Sequence, residues 1–375
     1  MAAGYFPGSE PELASRLDSY LAALADRLGA APFAPAITVL ALGGGYGRGE
    51  GGIFRPTPGG PPALYNDLEF YLVLREARAA GAARAWCDAE AHRGEAAVGI
   101  EVEFKILSAT ALQGAGPSMF YYDLVAGHRP VWGAAAFLPG LLPRLGDPAQ
   151  IPAHEATRLL FNRGSGLFYA QCALALRDTR VTDGFVERNH AKCRLALADA
   201  VLALNGRYHG SCRERASRLA EPLAHLPPQW PTLQAWHRDG VEFKLHPRHR
   251  APATAVLRTA QEELAGTWRD VFRWVEGRRL GRTFATDEDY VTDPGRLLPE
   301  FPAAKNLVLH LRDRLRRGGA LPFWTDYPRA ALQRALVSAL AGGETGLKPA
   351  ANILGCGDDV AVVEGAYRNW WRYYN

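Results

Sequence analysis

Cysteine is sparse in this chain of 375 residues: five occur, at positions 87, 172, 193, 212 and 356, and none belongs to a C-x-x-C pair. That spacing excludes a zinc ribbon and a small disulfide-stapled scaffold. Long apolar runs are missing too. No stretch approaches the roughly 18 consecutive apolar residues of a membrane-spanning helix, and the opening MAAGYFPGSEPEL has no basic segment followed by an apolar one. The expectation is therefore a cytoplasmic protein without a membrane partner. There is no repeat of fixed period, no low-complexity tail, no G-x-x-x-x-G-K-[ST] loop and no G-x-S-x-G elbow, which removes solenoids, P-loop enzymes and α/β-hydrolases from consideration. Charge of one sign is in short supply as well. With 43 basic against 39 acidic residues, the net +4 is weak for a protein that neutralises many phosphates, so a nucleic-acid partner is not favoured.

What is present is enough apolar sequence to build a core: 48% of residues are hydrophobic and 22% charged, an ordinary globular balance. The length exceeds a usual single domain and predicts two. Residues 10–28 carry apolar side chains at helical spacing. Three segments rich in β-branched and aromatic residues follow, AITVLAL (36–42), DLEFYLVL (67–74) and VGIEVEFKIL (98–107), and read as strands. A helical composition separates the second from the third, and GHRPVWG reads as a turn. Beyond Pro152 the strand signal fades, and helices are predicted over 153–178, 184–205, 212–224, 254–278, 304–317 and 327–341. The division falls near residue 150: an α/β domain with an N-terminal helix over 1–150, and a helical domain over 151–375.

The densest glycine segment is GGGYGRGEGG (43–52), with seven glycines in ten residues directly after the first predicted strand. Such a backbone can bring main-chain N–H groups close to a phosphate. Its G-x-G-x-x-G at Gly47, Gly49 and Gly52 leads into Ile-Phe-Arg-Pro rather than a helix, which rejects a dinucleotide fold. The second strand opens Asn66-Asp67-Leu68-Glu69. Residues two apart in a strand share a face, so Asp67 and Glu69 project together, half of a divalent-metal site. The third strand offers Glu101 and Glu103 in matching phase, with Lys105 continuing the polar stripe. Carboxylates from two adjacent strands are the hard oxygen ligands that Mg²⁺ takes.

Gly44-Gly45-Tyr46-Gly47-Arg48-Gly49-Glu50 followed by Asn66-Asp67-Leu68-Glu69-Phe70 resembles the signature of the DNA polymerase β-type nucleotidyltransferase superfamily. The GGYGRGE wording is similar to uridylyltransferase domains that modify the nitrogen-signalling protein PII. The resemblance covers about residues 36–107. It departs from the usual pattern in a longer spacer containing RPTPGGPPALY, in Asn66 where Ser is common, and in Glu69 where Asp is common. It implies an α+β protein, a small nucleotidyltransferase-like mixed-sheet domain followed by an all-helical substrate-binding domain. The implied activity is Mg²⁺-dependent transfer of an NMP from an NTP, with two ions, to a hydroxyl on a small molecule or protein. Gly44 and Gly45 would match the phosphate-contacting turn, Asp67 and Glu69 the two metal-binding acids, and either Glu103 or Glu101 the third carboxylate, which activates the attacking hydroxyl.

Backbone N–H groups from Gly44 to Gly47, at the start of a short helix, would hold the β and γ phosphates. Arg48 would add a charge-assisted contact, or else pair structurally with Glu50. In the helical domain Asn162, Arg163, and Lys192 with Asp199 are candidates to line the cleft and touch the nucleotide. A catalytically silent nucleotide-binding module on the same fold and a tRNA-modifying toxin-like transferase are the alternatives.

Overall fold

A computed structural model describes residues 4–57, 60–181, 184–248, 252–317 and 321–375. The chain is α+β, and it forms two compact units. The first comprises Met1–Glu155 with two returning segments, Asn205–Ala224 and Arg238–His249. The second comprises Ala156–Leu204, His225–His237 and Arg250–Asn375. The returning segments are what a linear division at residue 150 leaves out.

In the first unit, helix α1 (Pro11–Gly29) leads to strand β1 (Ile37–Leu42), the short helix α2 (Gly44–Gly47), a hairpin of β2 (Gly52–Phe54) and β3 (Ala63–Tyr65), then β4 (Asp67–Leu74). Helix α3 (Ala80–Val98) crosses over to β5 (Glu101–Ser108), and α4 (Ala109–Gly114), α5 (Met119–Ala126), β6 (Arg129–Gly133) and α6 (Leu142–Leu145) follow. The main sheet has the order β5-β4-β1-β6; β4 and β5 are parallel, and β1 is antiparallel to both its neighbours. A parallel pair needs a crossover, which α3 supplies. The predicted third strand began three residues early, because Val98 ends α3 and Gly99 takes the left-handed cap at φ +79°. That is the usual way a helix stops at glycine.

Both sheet faces are covered, which is why β1 and most of β4 are buried without alternation. One face packs Leu40, Leu42, Phe70 and Leu72 against Leu17, Leu24 and Leu28 of α1 and Cys87 of α3. The other packs Val39, Ala41, Tyr71 and Val73 against Leu112 and Leu124. GHRPVWG, read as a turn, contains the edge strand β6. Pro130 pairs with Ala41 at a register shift, and an edge strand tolerates the missing N–H of proline. Part of the Pro/Gly-rich spacer is strand as well, since β3 ends on its last residues; positions 58 and 59 within it lie outside the described residues.

The helices from α7 (His154–Leu176) onward are α8 (Phe185–Leu204), α9 (Cys212–Arg218), α10 (Trp230–Leu245), α11 (Thr254–Leu280), α12 (Asp287–Val291), α13 (Ala303–Arg317), α14 (Arg329–Ala339), α15 (Gly343–Leu354) and α16 (Val360–Tyr374). The reading from sequence missed α10, α12, α15 and α16. Pro231 stands in the first turn of α10, where proline is tolerated, so LPPQWP opens a helix instead of only breaking one. The second unit centres on α11, whose Trp268 and Phe272 rings stack at 4.6 Å, and on α14, buried from Ala330 to Ala339. A helix buried all round carries no amphipathic stripe to give away its neighbours.

Candidate metal and phosphate site

Because β1 runs antiparallel to β4, the last residue of β1 meets the first half of β4. Leu42 pairs with Phe70, and the Gly43 N–H donates to the Glu69 carbonyl at 2.8 Å. The glycine segment therefore leaves the sheet directly beside the acidic end of β4. Gly44 adopts φ +58°, and a Cβ there would lie 2.8 Å from Glu69 Oε2. The positive φ favours glycine here, and a Cβ would have to push the end of the Glu69 side chain aside. At Gly47 a Cβ would lie 2.3 Å from the Leu42 carbonyl oxygen, which holds α2 tight against the strand end. Tyr46 fixes the other side. Its buried hydroxyl lies 3.0 Å from the carbonyl oxygens of both Gly52 and Tyr65, which share its one proton, and accepts from the Tyr65 N–H at 2.9 Å.

Parallel pairing of β4 with β5 sets Asp67 opposite Glu101 and Glu69 opposite Glu103. Asp67, Glu69 and Glu103 each offer a carboxylate oxygen, and those oxygens all lie within 4.8 Å of one another. Glu101 has the same phase but is exposed at the start of its strand and does not join the group. Of the two open choices for the third acid, the geometry gathers Glu103. Asn66, just before Asp67, sits at φ +76° and donates its side-chain amide to Asp67 Oδ1. Asparagine enters the left-handed region more readily than most residues, which suits it to this position.

Lys105 is the cation of the group, with Nζ 3.3 Å from Glu69 Oε1 and 3.6 Å from Glu103 Oε2. Burial pushes its ammonium pKa down, but the two glutamates outweigh burial and hold it above the usual value. The Tyr71 hydroxyl donates to Glu69 Oε2 at 3.2 Å. Burial, then Glu69, push that phenol far up, so it remains a donor. Neither contact was read from sequence. The sequence reading places Lys105 on the polar stripe and gives Tyr71 no role; alternation along β4 and its register with β5 put both on the Glu69 face.

Arg48 and Glu50 do not pair with each other. Arg48 Nη1 faces Asp123 Oδ2 at 3.9 Å. Glu50, only 1% exposed, turns to the start of α9. There it accepts from Ser211 Oγ at 2.5 Å, from the Cys212 N–H at 3.0 Å and from the Arg213 N–H at 3.3 Å, with Lys244 Nζ at 3.7 Å. Burial alone would raise its carboxyl; Lys244, the serine and the two amides overcome that and hold it at about 2. Asp123 moves the other way: burial raises it, against Arg48, Arg215, Lys244 and the Tyr208 hydroxyl.

Lys192 is half-buried on α8 of the second unit. Asp199, its proposed companion, is buried and engaged, with Oδ1 3.0 Å from His237 Nε2. It is bonded to another residue of the same unit.

No family model and no curated protein matches this chain. Among the described residues, no helix is long and apolar enough to cross a membrane. The site's own chemistry carries the functional argument. Three hard oxygen donors at this spacing fit a divalent cation of the Mg²⁺ class, whose bound oxygens lie about 2.0 to 2.1 Å away, after a small closure of the side chains.

Proposed function

We propose that this protein is a Mg²⁺-dependent nucleotidyltransferase that moves an NMP from an NTP to a hydroxyl on a small molecule or protein. The observation that carries the reading is the juxtaposition of Gly44 with Glu69, the latter in register with Glu103, so that a glycine turn and a three-carboxylate cluster share one end of the sheet. Asp67, Glu69 and Glu103 would hold the metal, which when bound neutralises charge on the transferring phosphoryl group. The N–H groups of Gly44, Gly45 and Tyr46 precede the first bond of α2, which the Gly47 N–H donates to the Gly43 carbonyl at 2.8 Å, and they would orient the phosphates. Arg48 would add positive charge beside them. Glu103 would take the proton of the attacking hydroxyl. Tyr71 would hold Glu69 in place by its hydrogen bond.

A specific observation favours a second reading. The Lys105 ammonium already neutralises Glu69 and Glu103, as it would in a catalytically silent module on this fold. Pyrophosphate release from each common NTP, with Mg²⁺ and cell extract as acceptor pool, separates the two when NTP binding is measured in parallel by calorimetry. For the enzyme, Asp67→Asn keeps the thermal midpoint within a few degrees while turnover falls on the order of a thousandfold, since a lost metal ligand removes several kcal/mol of transition-state stabilisation. Tight Mg²⁺-dependent NTP binding without release favours the silent module. Well-folded protein that binds no NTP defeats both.

A further inference from the structure

Helix α13 (AAKNLVLHLRDRLRR) is built inside out. Its buried side carries Asn306, His310 and Asp313, each at most 1% exposed. Leu307, Val308, Leu311 and Leu315 are 44%, 64%, 45% and 85% exposed. The polar side is held by specific bonds. Asn306 Nδ2 donates to the Phe301 and Thr325 carbonyls at 3.3 and 3.1 Å, His310 Nε2 lies 3.1 Å from the Asp326 carbonyl oxygen, and the Tyr374 hydroxyl donates to Asp313. Rotating the helix to bury the leucines would strand those polar groups without partners. The outward apolar stripe is thus fixed by the fold.

At 100° per residue, Leu307, Leu311 and Leu315 line up with Val308 beside them. Arg314 flanks the stripe on one side, and Lys305, Arg312 and Arg316 flank it on the other; all four cations are exposed. The one acid of α13, Asp313, faces inward. We propose that this face of α13 docks, parallel to the surface, on a lipid bilayer carrying anionic headgroups. The leucines would enter the boundary between headgroups and acyl chains while the cations meet the negative surface. Charge decides against a second copy of the chain, because a two-fold contact would set these cations against themselves. Area decides against an acidic protein partner. The stripe offers on the order of a few hundred Å², short of the roughly 800 Å² that each side of a stable protein interface buries.

The test uses the full chain with extruded vesicles of phosphatidylcholine alone and of phosphatidylcholine mixed equally with phosphatidylglycerol, scored by flotation at low and high salt. Wild type is expected on the anionic vesicles, with the bound fraction falling as salt rises. Leu311→Glu with Leu315→Glu, and separately Arg312→Glu with Arg314→Glu, should each weaken binding about tenfold or more. Circular dichroism and thermal midpoints verify that both variants fold, and the charge variant keeps the stripe intact if the leucine variant does not fold. No binding to anionic vesicles overturns the proposal, as does equal binding to both vesicle types. So does a concentration-dependent dimer in sedimentation velocity that the leucine substitutions disperse.

Discussion

At the scale of single residues, Lys105 decides how the acidic cluster behaves without a metal. An ammonium 3.3 Å from Glu69 and 3.6 Å from Glu103 competes with any divalent cation for the same oxygens. Lys105→Met, which keeps the stem and removes the charge, is therefore expected to tighten Mg²⁺ binding about two- to fivefold, the range for a half-exposed ion pair. Calorimetric Mg²⁺ titration of the two proteins measures it, and unchanged affinity would count against a metal at these carboxylates. Glu50 gives a pH prediction. Its folded pKa of about 2 lies below the ordinary 4.5, so its contribution is complete above about pH 4.5 and is lost as pH falls toward 2. Glu50→Gln should cost on the order of 3 kcal/mol at neutral pH. Across that acid window the variant's stability should fall less steeply than wild type's, as denaturant melts at a series of pH values would record.

At the scale of elements, the site is a property of one strand order. The antiparallel β1–β4 pair delivers the glycine turn, and the parallel β4–β5 pair delivers the third acid. Helix α2 has only four residues, Gly44–Gly47, so its position depends on contact with the sheet rather than on its own helical stability. Gly47→Ala forces a methyl to within 2.3 Å of the Leu42 carbonyl oxygen and should cost about 1 to 3 kcal/mol as overpacking does. Urea denaturation measures the loss, and calorimetry with an NTP reports whether the displaced turn still receives phosphate. The β-pattern, the strand-to-turn junction and the paired acids were readable because period-2 alternation and glycine density are local signals. Edge strand β6 was not, because Arg-Pro-Val-Trp-Gly owes its extended form to the partner strand β1. Helix α15 escaped for a similar reason: Pro349 lies within it, and packing outweighs its propensity cost.

At the scale of the whole molecule, the first unit closes only when chain far along in sequence returns to it. Among the described residues, Ser211, Cys212, Arg213 and Lys244 supply the hydrogen bonds and close charges on buried Glu50, and Tyr208 and Arg215 lie beside Asp123. A fragment ending at residue 155 would leave Glu50 as a buried or newly hydrated charge without partners. Such a fragment, against the full chain, is expected to lose the cooperative thermal transition of the first unit and to bind 8-anilinonaphthalene-1-sulfonate. A sharp transition near that of the intact protein would show that the returning segments are dispensable.

The sequence by itself determined that glycines follow a strand, that Asp67 and Glu69 share a face, that Glu101 and Glu103 repeat the phase, and that the later chain is helical. Each follows from periodicity or composition within about ten residues. Only tertiary structure decided which acid joins Asp67 and Glu69, because register between strands is set by the α3 crossover and by core packing on both faces of the sheet. The same holds for the partners of Glu50 and Arg48. A charge two residues away is the nearest candidate in sequence, but a buried carboxylate takes the donors that folding brings to it, and here those come from the start of α9, some 160 positions on.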